Sequence, residues 1–344
     1  LYQGAVGLSS GPIGSGEGTD GDSRPGPGFI PYAKRMPVLS ALPSGHESLY
    51  GSGTAAGRSR SRPSLYLLAG SGRKEEGRWH SLKPRNLLNN WLGRPKKVLT
   101  AVNRVSLTIE PGETVGLVGE SGCGKSTFAR TLLGLYPKTD GDVFYKGRNI
   151  GEPEIGKDYR RQVQMIFQDP YASLDPRMTV EDIISEPLRN YGLCSDDRER
   201  RQRVADLLTQ VDLRPETAQR YPHEFSGGQR QRIGIARALA VDPECIFCDE
   251  PISALDVSVQ VQIVNMLKRL QEDRQLSYLF IAHDLSMVHH LSRRIGVMYL
   301  GNLVELGPSD AVFHRPLHPY TQMLIASVPR PDPNYRRTTL VSGE

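Results

Sequence analysis

Eight consecutive residues constrain this 344-residue chain more than any other stretch: Gly119-Glu-Ser-Gly-Cys-Gly-Lys-Ser126. They satisfy the pattern G-x-x-x-x-G-K-[ST] in full, after the apolar run Thr114–Val118 and before a helix-forming run that begins at Lys125. Gly119, Gly122 and Gly124 let the backbone turn through dihedrals closed to other residues, so that amides and a helix start can face one anionic group. Glu120, Ser121 and Cys123 complete that cradle. Lys125 supplies the charge that reaches outer phosphates, Ser126 offers a hydroxyl to a divalent metal, and Thr127 lies beside it. The stretch predicts a nucleotide phosphate site between a strand and a helix.

The surroundings read as strands alternating with helices. Ser106–Glu110 and Thr114–Val118 read as strands around the Pro111-Gly112 turn, and Glu244–Cys248, Ser277–Ala282 and Ile295–Tyr299 as buried strands. Lys125–Leu135 reads as a helix. Arg198–Val211 puts Val204, Leu207, Leu208 and Val211 on one helical face, and Ile263, Val264, Leu267 and Leu270 share another. Such alternation predicts an α/β core with a mainly parallel sheet. Residues from about 160 to 225 look mostly helical and interrupt it, as an inserted subdomain would. Past residue 306, prolines from Pro308 to Pro333 predict an irregular tail around one short helix near Tyr320–Ser327. A phosphate site that does chemistry also needs carboxylates. Ile246-Phe-Cys-Asp-Glu250 supplies two at the end of an apolar strand, where parallel sheets bind ligands. Asp249 is placed to hold Mg²⁺, and Glu250 to act as general base toward water.

Composition removes other classes. No window approaches the ~18 uninterrupted apolar residues of a membrane-spanning helix, so the chain can sit on a membrane but not cross it. Residues 1–95 hold 12 Lys/Arg against 6 Asp/Glu, whereas residues 96–344 hold 31 against 32. A nucleic-acid-binding face would put the basic excess in the folded part, so no nucleic acid partner is expected. Residues 1–95 read instead as a low-complexity leader, disordered or from a mis-started reading frame. Four cysteines are too few for a disulfide framework and suit a reducing, cytoplasmic compartment. Cys245 and Cys248 sit within an apolar run and read as buried strand residues rather than a metal pair.

Phe225-Ser-Gly-Gly-Gln-Arg-Gln-Arg232, upstream of Asp249-Glu250, closely resembles the signature of ABC transporter ATPases. The resemblance implies a P-loop NTPase core with an inserted helical subdomain and an antiparallel β edge. It divides the chain into the leader 1–95, a nucleotide-binding domain over 96–305 with its helical subdomain at about 160–225, and a C-terminal tail over 306–344. In that family the signature, here Ser226, Gly227, Gly228 and Gln229, meets the γ-phosphate held by an opposite subunit. Two chains would then sandwich ATP and Mg²⁺ head to tail. Gln168, in Ile166-Phe-Gln-Asp-Pro170, resembles the Q-loop glutamine that senses the γ-phosphate and metal and touches the permease. Ser253-Ala-Leu-Asp256 resembles the D-loop that crosses the dimer, and His283, in Ile281-Ala-His-Asp284, the switch histidine. The resemblance thus implies Glu250, His283 and Gln168 as catalytic residues, and Ser126, Gln168 and Asp249 as the metal-facing set.

Three further segments are similar to the oligopeptide/dipeptide importer ATPases: Phe167–Val180, Tyr221–Gln229 and His318-Pro-Tyr-Thr-Gln322. The Asp169-Pro-Tyr-Ala-Ser173 form resembles the second of the two unlike ATPases in such importers. The implied protein hydrolyses ATP at the cytoplasmic face of the cell membrane. It would pair with a second, similar ATPase subunit and two membrane permease subunits, served indirectly by an extracytoplasmic peptide-binding protein. Nickel, glutathione or another small solute is the alternative cargo. A soluble ABC-type ATPase acting on nucleic acid is the rival class, and one P-loop, one signature and no heptad run weigh against it. The family also starts with a strand and an aromatic residue that stacks on adenine. Here Lys96 aligns near that position, Trp91 is the nearest aromatic, and Ser64–Leu68 is a poor candidate for the strand.

Overall fold

Thr114–Val118 (β3) is buried at every residue and forms the middle of a six-stranded sheet. Ser277–Ile281 (β8) and Arg294–Tyr299 (β9) flank it in parallel. Beyond β8 come Cys245–Asp249 (β7) and then Val163–Ile166 (β6), also parallel, while Asn302–Pro308 (β10) closes the other edge antiparallel to β9. β3, β7 and β8 are buried from end to end and mostly apolar because helices cover both sheet faces. Side chains of alternate parity feed two clusters, one holding Val118, Ile246 and Phe280, the other Leu117, Phe247 and Leu279. Each such side chain contributes about 1.5–3 kcal/mol by leaving water. The computed structural model describes residues 65–68 and 99–328, all within one compact unit, Ser59–Glu344.

A second, antiparallel sheet has four strands in the order Ser106–Ile109 (β2), Leu65–Leu68 (β1), Asp142–Tyr145 (β4) and Arg148–Asn149 (β5). This is the expected antiparallel edge. It also corrects the doubt over the opening strand: Leu65 pairs with both Ile109 and Tyr145. Four residues suffice because the backbone is paired on both sides.

Helices join the parallel strands. Lys125–Leu132 (α1) follows β3 and stops before the expected Leu135, since Gly134 turns left-handed at φ 72°. Pro153–Gln162 (α2) precedes β6. β6, a strand of the main sheet, lies just inside the stretch expected to be mostly helical, about 160–225; its four residues are too few to show a period. The helices there are Pro170–Ser173 (α3), Val180–Asn190 (α4) and Asp197–Gln210 (α5). Thr179 and Asp196 cap α4 and α5 by accepting from Asp182 and Glu199 N–H. Their apolar faces (Ile184, Leu207, Leu208) join the same cluster as Ile233 and Ile246 of the core.

Gly227–Leu239 (α6), Val257–Arg274 (α7) and Leu285–Leu291 (α8) complete the layers. The tail after residue 306 is more regular than its prolines suggest. β10 runs to Pro308, and Ser309–His314 (α9) and Pro319–Ser327 (α10) follow. Pro308 and Pro319 mark helix starts here rather than irregular chain. Among the described residues no helix is long and apolar enough to cross a membrane. Trp91, Lys96 and the leader, apart from β1, lie outside the described residues.

Candidate active site

The C-terminal ends of β3, β6, β7 and β8 lie along one edge of the sheet, and each carries a residue singled out in the sequence. After β3 the loop takes positive φ at Gly119, Gly122 and Gly124. A Cβ at Gly124 would lie 2.2 Å from the Ala101 carbonyl oxygen, so only glycine fits. Gly119, Cys123, Gly124 and Lys125 are buried, Glu120, Ser121 and Gly122 exposed, and Ser126 and Thr127 half-buried. Lys125 Nζ donates to the carbonyls of Gly119 (2.7 Å) and Glu120 (2.9 Å), which holds the ammonium over the loop.

β7 ends in Asp249, and Glu250 follows it. Asp249 is fully buried, with Ser126 Oγ donating to Oδ1 at 2.6 Å and Arg130 donating to Oδ2 at 3.3 Å. Arg130 was not foreseen. The available signal is its position four residues after Ser126 on α1, which puts both on one helical face. Glu250 stands at φ 46°, held by its N–H on the Ile281 carbonyl (3.0 Å) and by Ser253 Oγ on its own carbonyl (3.1 Å). Gln168, exposed after β6, donates from Nε2 to Glu250 Oε2 at 2.9 Å. The structure therefore makes two hydrogen-bonded pairs, Ser126 with Asp249 and Gln168 with Glu250, joined by the Asp249–Glu250 peptide, while Lys125 is held within the loop itself. His283 lies exposed after β8.

The signature is a capped helix start. Ser226 Oγ accepts from Gln229 N–H (3.4 Å) while Gln229 Oε1 accepts from Ser226 N–H (3.0 Å). A Cβ at Gly228 would meet Val259 Cγ1 of α7 at 2.4 Å, so the glycine allows close helix packing. Arg230 is buried behind it, stacked over Tyr171 at 3.7 Å. Asp256 is exposed at the N-cap of α7, and Gln260 steadies the preceding turn through the carbonyls of Ile252 and Leu255. Among the described residues no hydrogen bond joins Ser226, Gly227, Gly228, Gln229, Asp256 or His283 to Gly119–Thr127, Asp249 or Glu250. Cys245 and Cys248 belong to opposite clusters of the core, so they face away from each other across the sheet. Burial pushes both thiols well up, as for inert strand residues.

A phosphate loop after a central parallel strand, facing carboxylates at the next strand ends, defines a P-loop nucleotide-hydrolysing cassette. The sequence profile of the family described as ABC transporter matches residues 102–253, and that described as oligopeptide/dipeptide transporter, C-terminal region, matches residues 304–344. The oligopeptide transport ATP-binding protein OppF of Bacillus subtilis (strain 168) is 59% identical over 246 residues, which span 71% of this chain and 81% of that protein. OppF of Escherichia coli (strain K12) is 54% identical over 74% of this chain and 78% of its own length. The solved structure of the ATP-binding cassette MJ0796, dimeric and bound to ADP and Pi in a post-hydrolysis state, is 26% identical with a TM-score of 0.57, covering 72% of this chain and 98% of that one. The chain belongs to the ABC transporter family, as an ATP-hydrolysing cassette of its oligopeptide/dipeptide branch.

Proposed function

We propose that this chain binds and hydrolyses ATP with Mg²⁺ to power import of oligopeptides or dipeptides, as a peripheral subunit at the cytoplasmic face of the membrane. The observation that carries the reading is the joining of three strand ends: Ser126 on Asp249 at 2.6 Å and Gln168 on Glu250 at 2.9 Å. The phosphates lie along Gly119–Thr127 with Lys125 against the outer ones. Ser126, Asp249 and Gln168 offer oxygen ligands of the kind Mg²⁺ takes, and Asp249, buried with a hydroxyl on one oxygen, fits that role. Bound Mg²⁺ supplies charge neutralisation on the transferred phosphoryl group. Glu250 takes the proton of the attacking water, while Gln168 and His283 meet the γ-phosphate.

Ser226, Gly227, Gly228 and Gln229 cap the γ-phosphate of a second, similar ATPase subunit, with Asp256 at the crossing between the two. The unjoined signature of the single chain and the dimeric MJ0796 cassette support such pairing. The pair is a heterodimer that serves two permease subunits, and an extracytoplasmic peptide-binding protein delivers the cargo. A cleft of about 740 Å³ beside Gln168, lined by Leu135, Phe167, Glu186 and Tyr191 among others, supports permease docking there. The peptide cargo is supported by what the OppF relatives are named for. In the test, Glu250→Gln keeps Mg·ATP affinity within about twofold and lowers turnover by about 100-fold or more. Undiminished hydrolysis would remove Glu250 from the role of base.

A further inference from the structure

Helix α10 takes no part in the chemistry above, yet it touches the phosphate loop. The Tyr320 hydroxyl accepts a hydrogen bond from Glu120 N–H at 2.9 Å, across 200 residues of sequence, and the side chain is buried at 6% exposure. Glu120 N–H belongs to the peptide group whose carbonyl is that of Gly119. That carbonyl accepts from Lys125 Nζ at 2.7 Å. One peptide group of the loop is therefore gripped at both ends, by the phenol of Tyr320 and by the ammonium of Lys125.

The grip is braced from behind. Glu305 on β10 accepts from Leu317 N–H (2.9 Å) and His318 N–H (3.0 Å). His318 Nδ1 then caps α10 by accepting from Tyr320 N–H at 3.1 Å. The Tyr299 ring, at the end of β9, packs on the Tyr320 ring with centroids 4.3 Å apart. The turn after β9 supports the loop from another side, with Gly301 N–H donating to the Cys123 carbonyl at 2.9 Å.

We propose that Tyr320 is a positioning residue for ATP: its phenol orients the Gly119–Glu120 peptide group, and through it the Lys125 ammonium, so the tail sets nucleotide affinity without touching the nucleotide. The inference rests on Gly119–Thr127 being the ATP site. A loop already oriented needs less ordering when phosphate arrives, and that ordering is a cost that binding otherwise meets. Burial, the main influence, raises the phenol above its ordinary value, so the hydroxyl stays neutral.

Tyr320→Phe keeps the ring against Tyr299 and deletes only the oxygen. The full chain, its Tyr320→Phe variant and a His318→Ala variant are compared by thermal midpoint without nucleotide and by calorimetric titration with Mg·ATP. Loss of one hydrogen bond predicts a three- to tenfold rise in the Mg·ATP Kd for Tyr320→Phe, about the ratio one such bond is worth. Its midpoint without nucleotide stays within about 3 °C of the parent. His318→Ala, which loosens the cap, moves the Kd in the same direction by less. A Tyr320→Phe chain that binds Mg·ATP as tightly as the parent overturns the proposal, whatever its midpoint. A parent chain that binds no Mg·ATP overturns the site assignment, and the role of Tyr320 falls with it.

Discussion

Glu250 occupies a left-handed backbone, φ 46°, which costs a glutamate about 1 kcal/mol or more. The neighbouring contacts to Ile281 and Ser253 hold it there, and the result aims its carboxylate at Gln168. Strain kept by surrounding bonds at a strand end is what a preorganised base requires. Gly124 presents the opposite case, a residue chosen for what it lacks. At φ 107°, with the Ala101 carbonyl 2.2 Å from where a Cβ would sit, Gly124→Ala combines backbone strain with a steric clash. We expect a loss of about 3 kcal/mol in urea unfolding, together with loss of Mg·ATP binding. A variant as stable as the parent would mean that the loop relaxes freely, contrary to the packing against Ala101.

At the scale of elements, the Arg294–Glu113 ion pair helps tie the two sheets and the turn into β3. Arg294, at the start of β9, donates to both oxygens of Glu113 (2.7 and 2.8 Å) and to the Thr108 carbonyl of β2 (2.7 Å). Burial alone would raise the Glu113 carboxyl, but the Arg294 and Glu110 hydrogen bonds outweigh it and hold the group below its ordinary 4.5. A carboxyl held low in the folded state adds stability that is fully present above pH 4.5 and is lost as pH falls through the lower folded value. Glu113→Gln should therefore cost about 2 kcal/mol in urea unfolding at pH 7, discounted from a fully buried pair because Arg294 is partly exposed. The gap from the parent should narrow as the pH is lowered below 4.5. A gap that stays constant with pH would separate the stability of this junction from the charge on Glu113.

At the scale of the molecule, the phosphate loop and the strands around it could be read in advance because local chemistry specifies them. The motif Gly119–Ser126 is contiguous, and the buried strands β3, β7 and β8 are mostly apolar, with their polar residues only at strand ends. Asp249 and Glu250 could be placed because a strand end is visible in the chain. What escaped notice depends on tertiary partners. Four-residue β6 and β1 exist because neighbours pair with them, not because their own pattern declares a strand. Arg130 on Asp249 and Tyr320 on Glu120 are contacts between residues whose types have many ordinary uses. The prolines of the tail looked like breakers, and two of them are helix starts.

One chain offers a phosphate loop, carboxylates and a capped helix start at Ser226, with no hydrogen bond among its described residues connecting the last to the first two. That separation is what a composite site shared by two chains requires. Introducing an acid at the helix start tests it: Ser226→Glu, assayed side by side for Mg·ATP binding and for turnover. The account predicts a Kd within about twofold of the parent, because the chain's own loop is untouched. Turnover should fall by about 100-fold or more, because an opposing γ-phosphate meets a carboxylate instead of a helix N-terminus. Turnover equal to the parent's, or loss of Mg·ATP binding by the chain itself, would contradict a site completed by a second subunit.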